Sequence, residues 1–298
     1  MSDALPPDVR ARLRALRLYP RRARGSGGLG QHLSRSRGAG IEFAQYRPYE
    51  QGDEPRRIDW KLYARSDRHY VRESERDSAL TLWLAVDATA SMAQADQAAP
   101  GRTKLDAART LAACLLELAL RQGERFGVLA FSDGALHGVP AGSGPRQRDR
   151  CLHLLARLPA AGSWPDEAAL RSLWETIAPE SLLVFLGDGF EERSTELALR
   201  MAATRREVLH VQILGADERE FPFRGGHRFE DPETGASVLT DAPSARAEFL
   251  RRFGAARIEL GRRLAGAGIR HVESFLDEPP DAALVRLFPP RGAMAAGA

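Results

Sequence analysis

The stretch LAVDATASMAQ, residues 84–94, runs an apolar, strand-like segment into Asp87, Thr89 and Ser91. Oxygen-bearing side chains at alternate positions of one tight loop have two uses. They bond the local backbone as a helix cap, or they surround a ligand that prefers oxygen. A second stretch, LLVFLGDGF at 182–190, places Asp188 between two glycines just past another apolar run. Two carboxylates and two hydroxyls, without thiolate or imidazole, form a hard-oxygen set suited to Mg²⁺ or Mn²⁺ rather than Zn²⁺. The plain alternative is a cap at Thr89 or Ser91 and a simple turn at Asp188-Gly189. Function requires the two loops to meet.

The elements that would bring them together follow from residue 79 onward. Apolar runs at 79–87, 125–132, 181–187, 207–214 and 269–276 alternate with helical patterns at about 104–121, 146–158, 166–178, 193–205 and 244–265. Buried strands alternating with helices predict a mainly parallel sheet covered on both faces. Asp133-Gly134 is a hairpin turn, which makes 135–140 an antiparallel edge strand. In such sheets ligands sit beyond the carboxyl ends of the strands where strand order reverses. If strand 79–87 lies beside strand 181–187, Asp87 and Asp188 converge there. Residues 227–241 are predicted to be an inserted hairpin turning at Pro232-Glu233-Thr234-Gly235.

The chain of 298 residues is long enough for a substantial core. It contains no apolar run long enough to span a membrane and no signal-like apolar segment near residue 1, so the expected location is cytoplasmic. Cys114 and Cys151 fall in helical stretches without metal-like spacing and are expected to be core residues. The formal net charge is only +3, and the basic residues are arginine apart from Lys61 and Lys104. Residues 6–24 suggest an amphipathic helix with Val9, Leu13 and Leu16 on one face. The Gly/Ser-rich stretch 25–40 is expected to be flexible. It contains a literal GxGxxG at Gly25, Gly27 and Gly30, but no strand precedes it, so a dinucleotide site fails.

Asp-x-Thr-x-Ser at 87–91 followed by Gly-Asp-Gly at 187–189 resembles the metal-ion-dependent adhesion site of von Willebrand factor type A domains. The resemblance implies a Rossmann-like α/β fold and Asp87, Thr89, Ser91 and Asp188 as metal ligands. It places the second-loop hydroxyl at Ser163, where Gly162-Ser163 stands for the family's Gly-Thr. Upstream, Glu42-Phe43, Arg47-Pro48-Tyr49, Gly52-Asp53, Arg57-Ile58-Asp59-Trp60, Ala64-Arg65 and Tyr70-Val71-Arg72-Glu73 resemble the hallmark of the bacterial domain-of-unknown-function 58 family. The organisation expected is an Arg-rich helix and flexible linker at 1–37, a strand-rich hallmark segment at 38–78, a type A-like domain at 79–288, and a flexible tail at 289–298. The aromatic residues and ion pairs of the hallmark would tie it to the main sheet or offer a partner surface.

What the resemblance implies for function is a non-enzymatic interaction module. Mg²⁺, or Mn²⁺ or Ca²⁺, would bind weakly alone and be completed by a partner's carboxylate. The implied partners are a MoxR-type AAA+ ATPase and a client protein, in a chaperone-like remodelling or maturation system. A metal-dependent phosphohydrolase is the first alternative. It would need a second aspartate where Thr89 stands and a lysine to steady the phosphoryl group, and only Lys104 follows Lys61. Nucleic-acid binding through Arg10, Arg12, Arg14, Arg17, Arg21, Arg22 and Arg24 is the second, weakened by an arginine bias that runs through the whole composition.

Overall fold

The computed structural model describes residues 6–18, 43–49, 58–66, 68–74, 80–233 and 235–288. In chain order, α1 (Pro7–Leu13) precedes β1 (Phe43–Pro48), α2 (Trp60–Ser66) and β2 (Tyr70–Ser74). Next come β3 (Thr81–Asp87), a 3₁₀ turn (Ala90–Ala93), β4 (Ala95–Asp96), β5 (Ala99–Thr103), α3 (Lys104–Arg121), β6 (Arg125–Ser132) and β7 (Ala135–Gly142). They are followed by α4 (Pro145–Arg157), α5 (Glu167–Leu170), α6 (Leu173–Thr176), β8 (Leu182–Gly187), α7 (Glu192–Ala203) and β9 (Glu207–Leu214). The last are α8 (Ala216–Glu220), β10 (Gly226–Glu230), β11 (Ser237–Asp241), α9 (Ala242–Gly266), β12 (Arg270–Phe275) and α10 (Ala282–Leu287). The chain divides into two compact units, one of residues 1–20 and 81–298, the other of residues 21–80.

The larger unit is built on a six-stranded sheet in the order β12-β9-β8-β3-β6-β7. Five strands are parallel, and β7 pairs antiparallel with β6 at the edge. This is the predicted Rossmann-like arrangement, with β3 beside β8. The turn between β6 and β7 has Asp133 and Gly134 both at positive φ, 50° and 67°, as a two-residue hairpin of the primed type requires. Every residue of β3 from Leu82 to Asp87 is buried, because the sheet is covered on both faces. Helix α3 crosses β3, β6, β8 and β9 on one side. On the other, Trp83, Ala85, Phe131 and Phe185 pack with Trp164 and with residues of α7 and α9. Cys114 and Cys151 are buried, and burial pushes both thiols up to about 12, so they act as core residues.

Three expectations change in detail. The N-terminal helix ends at Leu13 rather than running to 24, where the following amides of Arg14, Ala15 and Leu16 switch to carbonyls three residues back. Leu18 N then bonds Gln122 Oε1 at 3.2 Å, which draws the chain away from the helix axis. The helix predicted at 166–178 is two short turns, α5 and α6. Arg206 caps the second by donating to the carbonyls of Trp174 at 3.0 Å and Ile177 at 2.8 Å. The β4–β5 hairpin and α8 and α10 were not anticipated. The inserted hairpin is present as β10 and β11. The stretch 25–40 and the tail 289–298 lie outside the described residues.

The smaller unit pairs β1 with β2 antiparallel. Asp59 caps α2 by accepting from Lys61 N at 3.0 Å and Leu62 N at 3.1 Å, which gives the hallmark aspartate a local role. Tyr63 stacks on His69 at 4.4 Å and Trp60 meets both rings edge-on, yet Trp60 stays 58% exposed.

Within the larger unit, α1 is a structural part and not a loose arm. Val9, Leu13 and Leu16 are buried as predicted, and Arg12 grips Asp281 through two bonds of 2.5 and 2.7 Å. Leu13→Ala removes a side chain that is 1% exposed. It should lower unfolding stability by roughly 2–4 kcal/mol in a urea titration. A change within error would mean that α1 does not belong to the cooperative unit.

Candidate metal centre

Adjacent parallel strands β3 and β8 end level with each other, with Val86 opposite Leu186. Asp87 and Asp188 therefore leave the sheet side by side. Asp87 is 5% exposed, Asp188 2% and Thr89 0%. The Thr89 hydroxyl donates to Asp87 Oδ1 at 2.7 Å and its amide donates to the same oxygen at 2.9 Å. Ser91 Oγ lies 3.2 Å from Thr89 Oγ1. Thr89 makes no side-chain cap on the 3₁₀ turn, and α3 carries its own capping box from Thr103 and Asp106. Capping thus does not account for the three oxygens.

The aspartates sit where only glycine fits beside them. A Cβ on Gly187 would come within 2.7 Å of Asp87 Cβ, so a residue that looked incidental in sequence is demanded by the close approach of the first loop. Gly189 has φ 75°, and a Cβ there would meet Leu260 Cδ2 at 2.8 Å. The Asp188 carboxylate accepts from Phe190 N at 3.2 Å, and its carbonyl accepts from Gln212 Nε2 at 2.9 Å. The second loop is pinned to the first by Ala90 N to Gly162 O at 2.9 Å and Ala161 N to Ala88 O at 3.0 Å. Ser163 stands in that loop with an exposed side chain, and its hydroxyl joins none of the hydrogen bonds of the other four residues.

Burial pushes Asp87 up to about 7, with Asp188 across the crevice adding to the rise and the two Thr89 bonds opposing it. Both Thr89 bonds fall on Oδ1, so among the described residues Asp87 Oδ2 accepts no hydrogen bond. A buried pair of carboxylates with a free oxygen and neighbouring hydroxyls fits a hard divalent cation. Among the described residues there is no grouping of three or more His, Cys, Asp or Glu side chains able to hold a metal, so the hydroxyls would have to complete the set.

Two residues at the site were not assigned from sequence. Lys104, at the start of α3, is 1% exposed, with Nζ 3.6 Å from Asp188 Oδ2 and 2.8 Å from Glu218 Oε1. Its rarity, one of two lysines in an arginine-rich chain, was the available signal. The lysine thought missing from a phosphohydrolase is therefore beside Asp188, although it is sealed from solvent. The second is Glu233, at the tip of the inserted hairpin. Burial raises its pKa, as do Glu191 and Asp188, and the neighbouring Thr89 hydroxyl lowers it.

The raised Asp87 has a consequence for stability without metal. Between pH ~4 and ~7 the folded chain keeps a proton that the unfolded chain has released, so stability falls as pH rises through that window. Asp87→Asn removes this penalty. With chelator at pH 8 the variant should be more stable than wild type by on the order of 2–4 kcal/mol, the gap closing below pH ~4. Urea unfolding across pH measures it, and parallel pH profiles would contradict the assignment.

Comparison with known proteins places this chain in a family. Two uncharacterized proteins, one from Mycobacterium tuberculosis (strain H37Rv) and one from Mycobacterium bovis, are each 31% identical over 270 residues. Each match covers 89% of this chain and 84% of the relative. Among solved structures, BatB from Bacteroides thetaiotaomicron is similar over 64% of this chain and 99% of its own, at 13% identity and TM-score 0.38. The SpRpn10 VWA domain is similar over 71% of this chain and 96% of its own, at 12% identity and TM-score 0.39. The family described as "Protein of unknown function DUF58" matches residues 45–259. The chain belongs to the DUF58 family.

Proposed function

We propose that this protein is a non-enzymatic, metal-dependent protein-interaction module acting in the cytoplasm. The observation that carries the reading is the buried Asp87–Asp188 pair, flanked by Thr89 and Ser91 at the ends of adjacent parallel strands. Asp87, Thr89, Ser91 and Asp188 would hold Mg²⁺ (Mn²⁺ or Ca²⁺ in its absence), with Ser163 on the neighbouring loop as the fifth donor. The bound ion would supply a positive centre with open coordination for a carboxylate from another protein. Thr89 orients Asp87 through its two bonds, and Phe190 N orients Asp188. Lys104 offsets part of the carboxylate charge from beneath. Metal affinity is therefore modest until a partner's acid adds its charge. The partner proposed, on the family resemblance, is a MoxR-type AAA+ ATPase that remodels or matures a client.

A hydrolase is the second reading, favoured by the Lys104 ammonium at 3.6 Å from Asp188. Against it, Lys104 is 1% exposed and already held by Glu218, and Thr89 occupies the position where an acid–base aspartate would stand. Among the described residues no helix is long and apolar enough to cross a membrane.

Capture of the candidate ATPase by wild type and Asp87→Ala, with and without chelator, tests the proposal. Chelator and Asp87→Ala should each weaken capture by more than ~10-fold, since even outer-shell changes around metals have effects of that size. Capture indifferent to both would refute the metal bridge. Phosphatase turnover lost in Asp87→Ala would establish the hydrolase instead.

A further inference from the structure

Helix α2 of the smaller unit turns an aromatic anchor and unpaired cations to solvent side by side. With about 3.6 residues per turn, positions 60, 61, 64 and 65 share one arc of a helix, and Trp60, Lys61, Ala64 and Arg65 are all exposed. Leu62 and Tyr63, off that arc, are half-buried. Tyr63 stacks on His69 at 4.4 Å, and Trp60 crosses the two rings at near right angles, 82° and 88°. Tyr49, 37% exposed, lies 6.3 Å from His69 on its other flank. These contacts hold the indole in place and still leave Trp60 58% exposed. The cations beside it are free. Arg68 is exposed as well, and among the described residues Lys61, Arg65 and Arg68 make no ion pair. Asp59, the acid next to Trp60, already accepts from Lys61 N and Leu62 N. On α9, by contrast, Arg251, Arg257, Arg262 and Arg263 each grip a carboxylate. Abundant arginine alone therefore does not leave cations unpaired. Residues 21–80, the smaller unit, hold thirteen Arg and Lys against nine Asp and Glu, although the formal net charge of the whole chain is only +3.

We propose that this face of α2 is a docking surface for an acidic segment of another protein. A large apolar side chain of that segment seats on Trp60, and its carboxylates meet Lys61, Arg65 and Arg68. Trp and Arg are the side chains that carry most of the energy where proteins meet, and an unpaired cation gains from a charge-assisted bond. An acidic segment supplies the charge that this surface lacks. Single-stranded nucleic acid needs open ring faces on which to stack its bases, and Tyr63 and His69 each already have one face covered by the other. Docking here makes no use of Asp87 or Asp188, so the surface stands or falls apart from the metal centre.

A display library of random peptides, selected on the full chain with chelator present throughout, tests this. The chelator keeps peptide carboxylates from binding through a metal at Asp87 and Asp188. Enriched peptides should carry several Asp or Glu around one large apolar residue. Binding of the strongest, followed by fluorescence anisotropy, should weaken by more than ~10-fold in Trp60→Ala and in the double variant Lys61→Glu with Arg65→Glu. It should be unchanged in Asp87→Ala and in Arg146→Glu with Arg171→Glu, which reverses two exposed cations of the larger unit. Added salt should weaken it too. No enrichment, peptides without an excess of acid, or binding that ignores both α2 variants would overturn the surface. Equal weakening in the Arg146 and Arg171 control would reduce the effect to net charge and overturn it as well. Tighter, Trp60-dependent binding of an oligothymidylate would replace the acidic segment with single-stranded nucleic acid.

Discussion

The structure is organised around two carboxylates that the fold forces together in a place water scarcely reaches. Strands β3 and β8 are parallel neighbours, so their carboxyl ends coincide, β3 ending in Asp87 and β8 being followed directly by Asp188. Burial and mutual repulsion then raise Asp87 towards neutrality. Such a pair is costly in a folded chain, and the surroundings are arranged to contain it. Thr89 bonds one oxygen of Asp87 twice, glycines flank Asp188 because side chains there would collide, and Lys104 stands beneath.

Lys104 links this pair to parts of the chain far from it in sequence. Its ammonium bonds Glu218, whose other oxygen accepts from Gly215 N at 2.7 Å at the start of α8. Asp96 in the β4–β5 hairpin accepts from Ala216 N in the same turn, and Asp217 of α8 accepts from Gln97 N at 3.0 Å. One lysine thus serves carboxylates on β8's loop and on α8, while the small hairpin and α8 clasp each other through aspartate side chains that accept from each other's backbone amides. A single ammonium shared between Asp188 and Glu218 leaves the crevice net negative, since Asp87 has no cation of its own among the described residues. That imbalance is what a divalent cation would correct.

Much of this was legible in the sequence. The apolar runs ending in Asp87 and Asp188 could be read as strands because each is buried on both faces and so lacks polar interruption. The Asp133-Gly134 turn announced the edge strand. Lys104 was not legible as a site residue, because it reaches Asp188 only through tertiary folding, from the start of a helix. The extent of α1 and the break between α5 and α6 escaped for a related reason. Side chains distant in sequence, Gln122 and Arg206, capture the backbone groups that a longer helix would have used. Ser163 was placed by analogy with a family loop, and the backbone of that loop bonds the first loop at Ala88 and Ala90. Among the described residues no hydrogen bond orients its hydroxyl.

The arrangement of charge also bears on the proposed binding role and on the hydrolase alternative. A general acid or base must exchange protons with substrate, and a phosphate-steadying lysine must touch it. Here Lys104 is sealed at 1% exposure and engaged by Glu218, and Asp87 is bonded twice by a threonine that has no proton to exchange near neutral pH. What remains is Asp87 Oδ2, the Asp188 carboxylate and the Ser91 hydroxyl, at the carboxyl ends of adjacent strands. Those oxygens are of the kind a hard divalent cation takes, while the Asp87 carboxyl, raised to about 7, is also able to exchange a proton near neutral pH. On the proposed reading, the chemistry the site offers is recognition of a carboxylate brought by another protein.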